Sequence, residues 1–303
     1  MAKPFLSNFE IALTPLSPVH IGCGEDYEPT SFVVENGLLY SFASGTVALP
    51  EKQRNELRML VGPAAVEDAG ISRIARFFDK YKQTFKPFAQ SIVPIDSAPL
   101  KQFRNLLEGA KGPDLKTIAQ NRIERTSYCI RGGFSMPYLP GSSLKGALHT
   151  ALFDRIHQAK GTGPIEKKDG GLKLDEILLG GTMNLSPMRL ISVSDFMPTS
   201  ESVITRITMG RRISKKHPLT EPPEQAIPVA FEVVEKAQYQ AFKGSLTLRQ
   251  SHGLPGEPDP QRSYQTVNDI CKDLNRFSLA QFRQSAEQKY WTNSPNATAK
   301  WFA

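Results

Sequence analysis

The sequence predicts an α+β fold in which strands arranged as hairpins are interrupted by helices. Residues 32–40 are rich in apolar residues on both sides of Asn36-Gly37, a pair that suits the tight type I′ turn of a β-hairpin. Between about residue 50 and about residue 121, apolar residues recur at helical spacing instead. A parallel β-α-β repeat that opens on a glycine-rich dinucleotide turn is missing from the sequence. The pattern therefore favours α+β over the parallel α/β class.

Composition indicates a protein of a reducing compartment. The 303 residues allow one large domain or two ordinary ones, and 40% of them are hydrophobic, which is enough for a packed core. There is no run of about 18 apolar residues, and residues 1–5 lack the apolar stretch of a signal peptide. Cys23, Cys129 and Cys271 lie far apart, which argues against a disulfide framework and a zinc site. We expect a cytoplasmic protein with no membrane association and no cofactor.

The charge balance is basic. A formal net charge of +7 and a pI of about 9.2 fit a nucleic acid or another polyanion as partner. Many basic proteins bind no nucleic acid, so this excess shifts the expectation only modestly. The 22 glycines and 23 prolines predict many turns and irregular connections.

Individual elements follow from the spacing of apolar residues. Alternation over residues 9–13 predicts a first strand, and residues 229–236 and 241–248 predict two later strands joined by a short connection. A final helix from Val267 is expected to break near Ser278. The remaining predictions are helices at 51–61, 71–85 and 100–110 and strands at 123–130 and 189–196.

The segment from Met136 to His149 is the motif around which the chain is interpreted. An extended apolar piece runs into Pro140-Gly141, which predicts a turn. Ser142 or Ser143 is expected to cap the helix that follows, because a serine hydroxyl can accept a free backbone N–H. The motif thus predicts a strand, a tight turn and a helix N-terminus.

Lys145 falls in the first turn of this predicted helix, where a cation opposes the helix dipole. Such a placement suggests an anion nearby, and helix N-termini bind phosphates readily. The alternative is a buried helix that begins here with Lys145 solvated. The spacing of a phosphate-binding Walker motif is absent.

Residues 204–217 form a basic stretch that alternates like a β-ribbon. A ribbon of this kind can lie along a phosphate backbone, while its apolar side chains insert between bases. The alternative is a solvated hairpin with incidental positive charges. Its five cationic residues are Arg206, Arg211, Arg212, Lys215 and Lys216.

His20 is the first candidate for acid–base chemistry, because it lies next to a glycine turn and histidine titrates near neutral pH. RNA cleavage would require a second acid or base within reach, such as Tyr27 or His149. A structural or RNA-contacting role for His20 is the favoured interpretation.

Three acidic residues, Glu25, Asp26 and Asp195, are candidates for holding a divalent cation that cleaves a phosphodiester. They do not form a carboxylate cluster in the sequence. The favoured interpretation is that Asp195 orders a turn after its strand and that Asp26 faces solvent. No nucleophile-elbow pattern surrounds Gly141-Ser142-Ser143.

Taken together, four segments resemble the RAMP superfamily of CRISPR-associated proteins, and most closely the fifth subunit of the type III-A (Csm) effector complex. These segments follow one another in the family's order and cover most of the chain. They are Leu13–Tyr27, Leu139–Leu148, Ser192–Asp195 and Phe231–Val234.

The resemblance implies ferredoxin-like, RRM-type units carrying insertions and a projecting β-hairpin thumb. The expected domain limits are a core of residues 1–49 and 122–197, a helical insertion of residues 50–121, a basic thumb ribbon of residues 198–228 and a second ferredoxin-like portion of residues 229–303.

The resemblance also implies a function and partners. The chain would be a non-catalytic subunit in antiviral defence that caps the backbone filament near the 3′ end of the guide RNA. Its partners would be the guide RNA (crRNA) and its paired target RNA, the repeating backbone RAMP subunit and the small helical subunit. The sequence leaves open whether a guide-trimming nuclease also binds.

The family's guide-contacting loop matches the turn from Pro140 to Lys145, and its thumb matches the basic ribbon. Together with His20 and Arg131, these two segments supply the RNA-binding candidates, which are His20, Arg131, Gly141, Ser142, Ser143, Lys145, Arg206, Arg211, Arg212, Lys215 and Lys216.

The sequence departs from the family pattern at two places. His149 stands where relatives often carry arginine, and the glycine-rich loop usual near the C-terminus is missing before Ala303. Because RAMP relatives include guide-processing endoribonucleases, the alternative function is such an enzyme with His20 as its acid or base. A metal-dependent nuclease using Asp26 is a third possibility.

Overall fold

In the computed structural model the described residues are 5–61, 69–108, 123–160, 183–201, 203–210 and 229–287. Their contacts divide the chain into two units. Unit 1 comprises residues 1–13, 139–197 and 242–303, and unit 2 comprises residues 14–138 and 198–241. Among the described helices, none is both long and apolar enough to cross a bilayer.

Unit 1 is built on strands from distant parts of the chain. Strand β1 (Leu6–Leu13) pairs antiparallel along its whole length with β13 (Phe242–Arg249). The other edge of β13 pairs antiparallel with β9 (Ile191–Val193) and also with the two-residue β10 (Met197–Pro198). Apart from the two-residue β10 and the insertion of unit 2, the described chain runs strand, helix, strand, strand, helix through this unit.

Two helices cover one face of this sheet. They are α5 (Gly141–Lys160) and α6 (Val267–Glu287), which pack against each other and against a common core. Alternate residues of the strands face this core, as period-two alternation requires. The core residues include Leu148, Leu152 and Ile156 of α5, Ile270 of α6, and Ile191, Leu246 and Leu248 of the sheet.

Unit 2 contains two larger sheets and a separate hairpin. Their strands are β2 (Gly22–Tyr27), β3 (Phe32–Glu35), β4 (Leu38–Ser41), β5 (Ser91–Pro94), β6 (Ile123–Thr126), β7 (Tyr128–Arg131), β8 (Phe134–Pro137), β11 (Thr205–Gly210) and β12 (Val229–Val234). One sheet has the order β11, β12, β6, β2, in which β12 and β6 run parallel and the other pairs antiparallel. The second sheet has the order β3, β4, β5 and is antiparallel throughout. The hairpin joins β7 to β8.

Four helices complete the described part of unit 2. They are α1 (Glu51–Leu60), α2 (Ala69–Lys80), the short α3 (Lys82–Phe85) and α4 (Ser97–Glu108). An aromatic cluster holds α2 and α3 against the second sheet, with the rings of Phe42 and Phe85 4.9 Å apart and those of Phe78 and Phe85 4.7 Å apart.

Most of the locally predicted elements are confirmed. Asn36 and Gly37 have positive φ angles of 51° and 76°, as a type I′ turn between β3 and β4 requires. The prediction of a break near Ser278 is wrong, because α6 runs without interruption from Val267 to Glu287. Serine is tolerated within a helix, and the apolar contacts of α6 with the core favour continuity.

The short connection between β12 and β13 does not form a hairpin. Strand β12 lies in unit 2 and β13 in unit 1, so residues 229–303 contribute to both units. This grouping divides the chain differently from the limits expected from the family resemblance, which remain a prediction. Of the basic stretch at residues 204–217, only residues 204–210 are among those described, and Thr205–Gly210 form β11.

Candidate nucleic-acid interface

The start of α5 is held by the short segment between β9 and β10. Leu139 and Phe196 exchange backbone hydrogen bonds of 3.0 and 2.9 Å. The carboxylate of Asp195 then accepts a 2.8 Å hydrogen bond from the backbone N–H of Gly141, the first residue of the helix. The expectation that Ser142 or Ser143 caps this helix is therefore wrong. Asp195 does so from a distant part of the chain, and its negative charge also suits the helix N-terminus.

Gly141 is required by close backbone packing. A Cβ atom at this position would lie 2.5 Å from the carbonyl oxygens of both Val193 and Ser194. No side chain fits in that space unless the backbone of β9 and the following residue moves. The glycine of the predicted guide-contacting loop thus has a structural reason to be glycine.

The predicted RNA-binding side chains of this turn are available to solvent. Ser142 and Ser143 are exposed on the first turn of α5, and Lys145 is half-buried one residue beyond Leu144. Further along the helix, the His149 ring packs edge-on against Phe153 with centroids 4.4 Å apart. The turn therefore presents two hydroxyls and a cation next to a helix N-terminus, a combination that suits phosphate.

His20 is tied to strand β12 in unit 2. Its neighbour Val19 pairs with Val234 through backbone hydrogen bonds of 3.0 and 2.8 Å. The His20 Nδ1 donates to the carbonyl oxygen of Glu232 at 2.8 Å, and Nε2 lies 3.6 Å from a carboxylate oxygen of Glu124. The ring also packs against Phe231, with centroids 4.9 Å apart. These contacts give His20 a structural role that fits the favoured interpretation.

Tyr27, one of the two partners named for acid–base chemistry at His20, is poorly suited to that role. Tyr27 is almost fully buried, and this burial raises the pKa of its hydroxyl far above the ordinary value. Its ring lies instead under the guanidinium of Arg125, 4.7 Å away. His149 belongs to the other unit.

The acidic candidates do not assemble a metal site within the part of the chain that the structure describes. No group of three or more histidine, cysteine, aspartate or glutamate side chains there is placed to share an ion. Asp26 lies on β2 opposite Glu124, whereas Asp195 is engaged with Gly141. Glu25 accepts a 2.6 Å hydrogen bond from the Tyr128 hydroxyl.

Two predicted cations of unit 2 have contrasting surroundings. Arg131 is exposed at the end of β7, beside a turn in which Gly132 and Gly133 both have positive φ. Arg206 on β11 forms ion pairs with Glu235 and with Asp96, the latter at 3.2 Å. These carboxylates neutralise the Arg206 guanidinium locally. The four remaining cations of the ribbon, Arg211, Arg212, Lys215 and Lys216, lie outside the described residues.

Sequence reasoning missed the buried carboxylate of Glu232. It accepts hydrogen bonds from the Thr205 hydroxyl at 3.0 Å and from the backbone N–H of Thr126 at 3.3 Å, and so connects β12 to both neighbouring strands. Burial raises the pKa of this carboxyl group above its ordinary value. The available indication was one acidic residue within the apolar run from Val229 to Val234.

Comparison with known proteins identifies a family. The family model of the RAMP superfamily matches residues 12–266. A curated relative from Streptococcus thermophilus, described as "CRISPR system Cms protein Csm5", is 28% identical over 148 residues. That match covers 48% of this chain and 38% of the relative, so the comparison spans well under two thirds of the relative's length.

Comparison with solved structures shows a similar fold in one case. The crystal structure of T. onnurineus Csm5 has a TM-score of 0.51 at 16% identity, over 91% of this chain and 81% of that one. A chain from the cryo-EM structure of a Csm–crRNA–target RNA ternary complex of a type III-A CRISPR-Cas system has a TM-score of 0.47 at 17% identity. This match covers 79% of this chain and 63% of that chain.

Proposed function

Because the chain belongs to the RAMP superfamily, we propose that it is a non-catalytic, RNA-binding subunit of a type III-A CRISPR effector complex. In this role it caps the backbone filament near the 3′ end of the guide RNA and contacts the guide–target duplex. The observation that carries the proposal is the family match over most of the chain, together with the similarity to a Csm5 protein. The net charge of +7 is consistent with an RNA partner.

The proposed partners are the guide RNA and its paired target, the backbone RAMP subunit and the small helical subunit. A guide-trimming nuclease is an additional candidate partner. The protein is proposed to act in the cytoplasm, where such a complex would meet foreign transcripts.

Guide contact is proposed at the N-terminal turn of α5. Ser142, Ser143 and Lys145 are accessible there, and the bond from Gly141 to Asp195 holds the turn in place. Arg131 is an exposed second contact at the tip of its hairpin. Arg206 would position the base of the ribbon, while Arg211, Arg212, Lys215 and Lys216 would meet the phosphates. His20 would support the fold of unit 2 through its contacts with β12.

Unit 1 is proposed to be a ferredoxin-like, RRM-type unit. Apart from the two-residue β10, its chain order of strand, helix, strand, strand, helix supports this, as does the central strand β13, which pairs with β1 and with β9 and has both helices on one face. The projecting thumb is likewise a proposal for residues 198–228.

The test is reconstitution with the backbone subunit and guide RNA from the same CRISPR locus. The variant Arg211→Glu with Arg212→Glu should weaken guide binding on the order of tenfold or more, since each loses a positive charge and gains a negative one. The matched control reverses Lys101 and Arg104, which are exposed on α4. That control should bind like the unmodified chain.

Guide binding and complex length should be read out in the same preparations, by filter binding and native mass spectrometry. Equal guide retention and equal filament length for the two double variants would overturn the proposed ribbon contact. Failure of the unmodified chain to join the complex would overturn the proposed function itself.

A further inference from the structure

Three planar side chains meet at one end of the unit 1 sheet. The ring of Phe5 lies nearly parallel to the ring of His252, at an interplanar angle of 8° and with the two centroids 6.4 Å apart. The guanidinium carbon of Arg249 lies 5.9 Å from the Phe5 centroid. All three residues belong to unit 1, and none of them is among the RNA-binding candidates. We call these three residues the Phe5 cluster.

The Phe5 ring is open to solvent. Phe5 is 54% exposed, His252 is exposed and Arg249 is half-buried. Paired aromatic rings have centroids about 4.5–7 Å apart, and a cation acts on a ring within about 6 Å of its centroid. Both contacts of Phe5 lie near the outer limits of these ranges, so His252 and Arg249 flank the ring without covering it. A further planar group can therefore stack on Phe5.

Backbone contacts fix the cluster in place. Arg249 is the last residue of β13, where it pairs with the first residue of β1. The carbonyl oxygen of Phe5 accepts a 3.2 Å hydrogen bond from the N–H of Gln250. The N–H of His252 donates to the carboxylate of Glu257 at 2.9 Å. A platform whose backbone is already held loses little conformational entropy when a ligand binds.

The charges around the cluster balance one another. Arg249 is its one permanent cation, and the carboxylate of Glu257 lies beside the cluster. The pKa of Glu257 is lowered, first by the hydrogen bond from the His252 N–H and further by the charges of His252 and Arg249. A balanced site of this kind attracts a phosphate only weakly. Its binding chemistry is therefore that of its planar groups.

Bases of single-stranded RNA stack on the planes of phenylalanine, histidine and arginine side chains, and the Phe5 cluster contains one of each. We propose that the cluster binds an unpaired nucleobase of the guide RNA, which stacks on the Phe5 ring and is flanked by His252 and Arg249. The proposal rests on the RNA-binding function proposed above. It adds a contact that is made through a base and not through a phosphate.

The experiment compares a single-stranded RNA with the same strand paired to its complement, by fluorescence anisotropy on the purified 303-residue chain. Phe5→Ala should lower the affinity for the single strand about five- to a hundredfold, the loss that removal of one base–aromatic stack causes. Its affinity for the duplex should be unchanged, because bases inside a duplex are stacked on one another. Phe5→Trp keeps a stacking surface and should bind the single strand like the unmodified chain.

The salt dependence of binding separates a base contact from a phosphate contact. Phe5→Ala removes no charge, so the logarithmic slope of affinity against salt concentration should equal that of the unmodified chain. The affinity itself should be lower at every salt concentration.

The matched control is Phe88→Ala. Phe88 is 45% exposed in unit 2, and within the described part of the chain no aromatic ring or guanidinium group packs against it. This variant should bind the single strand and the duplex like the unmodified chain. Thermal unfolding of all the variants shows whether a loss of binding comes from a loss of fold.

Two results would overturn the inference while the unmodified chain still binds RNA and the proposed function stands. One is equal binding of the single strand by Phe5→Ala, Phe88→Ala and the unmodified chain. The other is an equal loss of affinity for single strand and duplex in Phe5→Ala, which would assign Phe5 to the fold of unit 1. Absence of RNA binding by the unmodified chain would contradict the proposed function and the inference with it.

Discussion

At the residue scale, the buried carboxylate of Glu232 shows how one polar side chain joins several strands. It is only 5% exposed, yet Thr205 and Thr126 supply hydrogen bonds from the two strands beside β12. A buried carboxylate without such donors would cost several kcal/mol. The donors reduce that cost without removing it, and the pKa of Glu232 remains raised.

This raised pKa predicts a pH-dependent stability. Between its ordinary value of 4.5 and the raised value, the folded chain holds a proton on Glu232 that the unfolded chain has released. The corresponding contribution to stability is present below the ordinary pKa and is lost as pH rises through the folded-state pKa. Glu232→Gln removes this loss.

The free energy of unfolding of Glu232→Gln, relative to that of the unmodified chain, should therefore increase as pH rises from about 4 to about 8. Urea unfolding of both proteins across that range measures the difference. Parallel profiles for the two proteins would contradict the assignment.

At the element scale, the start of α5 depends on how closely its backbone approaches the end of β9. Gly141 has no room for a Cβ, whereas the space around the Cβ position of Gly146, in the same helix, is open. The two glycines share one helix but differ in tertiary surroundings, so they form a matched pair.

Gly141→Ala should destabilise the protein by about 1–3 kcal/mol, since the new methyl group overlaps backbone atoms that cannot rotate away. Gly146→Ala should instead stabilise it by about 0.5–1 kcal/mol, because alanine is the better helix former. Denaturant unfolding of both variants measures the two changes in the free energy of unfolding. Equal effects of the two substitutions would show that the close approach at Gly141 is not maintained.

The contact between α5 and α6 gives a second prediction at this scale. Arg155 and Asp273 form an ion pair at 2.9 Å in which the Asp273 side chain is 13% exposed. Arg276 and Asp154 form another at 3.2 Å with both side chains more accessible. A pair that is shielded from water contributes more than an accessible one when one partner is removed.

Asp273→Ala should cost about 2 kcal/mol, because it leaves the Arg155 guanidinium half-buried without its carboxylate. Arg276→Ala should cost about 1 kcal/mol or less. Thermal and urea unfolding provide the comparison, and a larger effect for Arg276→Ala would reverse the ranking that burial predicts.

At the scale of the whole molecule, the net charge of +7 should make RNA binding strongly dependent on salt. Each phosphate contact to a single strand contributes a slope of about −0.7 to the logarithmic dependence of affinity on salt concentration. If Lys145 contacts a guide phosphate as proposed, Lys145→Gln should make the slope shallower by about that amount.

Lys243→Gln is the control for this measurement, because Lys243 is paired with Glu10 at 2.9 Å on the unit 1 sheet. Its slope should match that of the unmodified chain. Fluorescence anisotropy with a labelled guide RNA, over about 50–300 mM salt, gives the slopes. An unchanged slope in Lys145→Gln would exclude Lys145 from the phosphate contacts.

The candidate site was predictable only where its chemistry is local. Sequence reasoning placed a helix start just after Pro140, and the structure confirms it. It assigned the cap to Ser142 or Ser143, whereas Asp195 provides it. The prediction chose the serines because they are close to the helix start in sequence. Asp195 is brought there only by folding, and the spacing of residues along the chain does not indicate such distant contacts.

The sequence by itself determined the elements whose conformation depends on residues a few positions apart. Asn36-Gly37 makes a hairpin because those residues tolerate positive φ, and β1 forms where apolar residues alternate. The family was also accessible from the sequence, because its motifs are short and local.

Only the tertiary structure decided which elements meet. Strand β1 pairs with β13 from near the other end of the described chain, and β12 and β13 enter different units although a short connection joins them. The burial of Glu232 between β11 and β6 has the same origin. Such contacts depend on the free energy of packing distant surfaces together, which the local pattern of either surface does not specify.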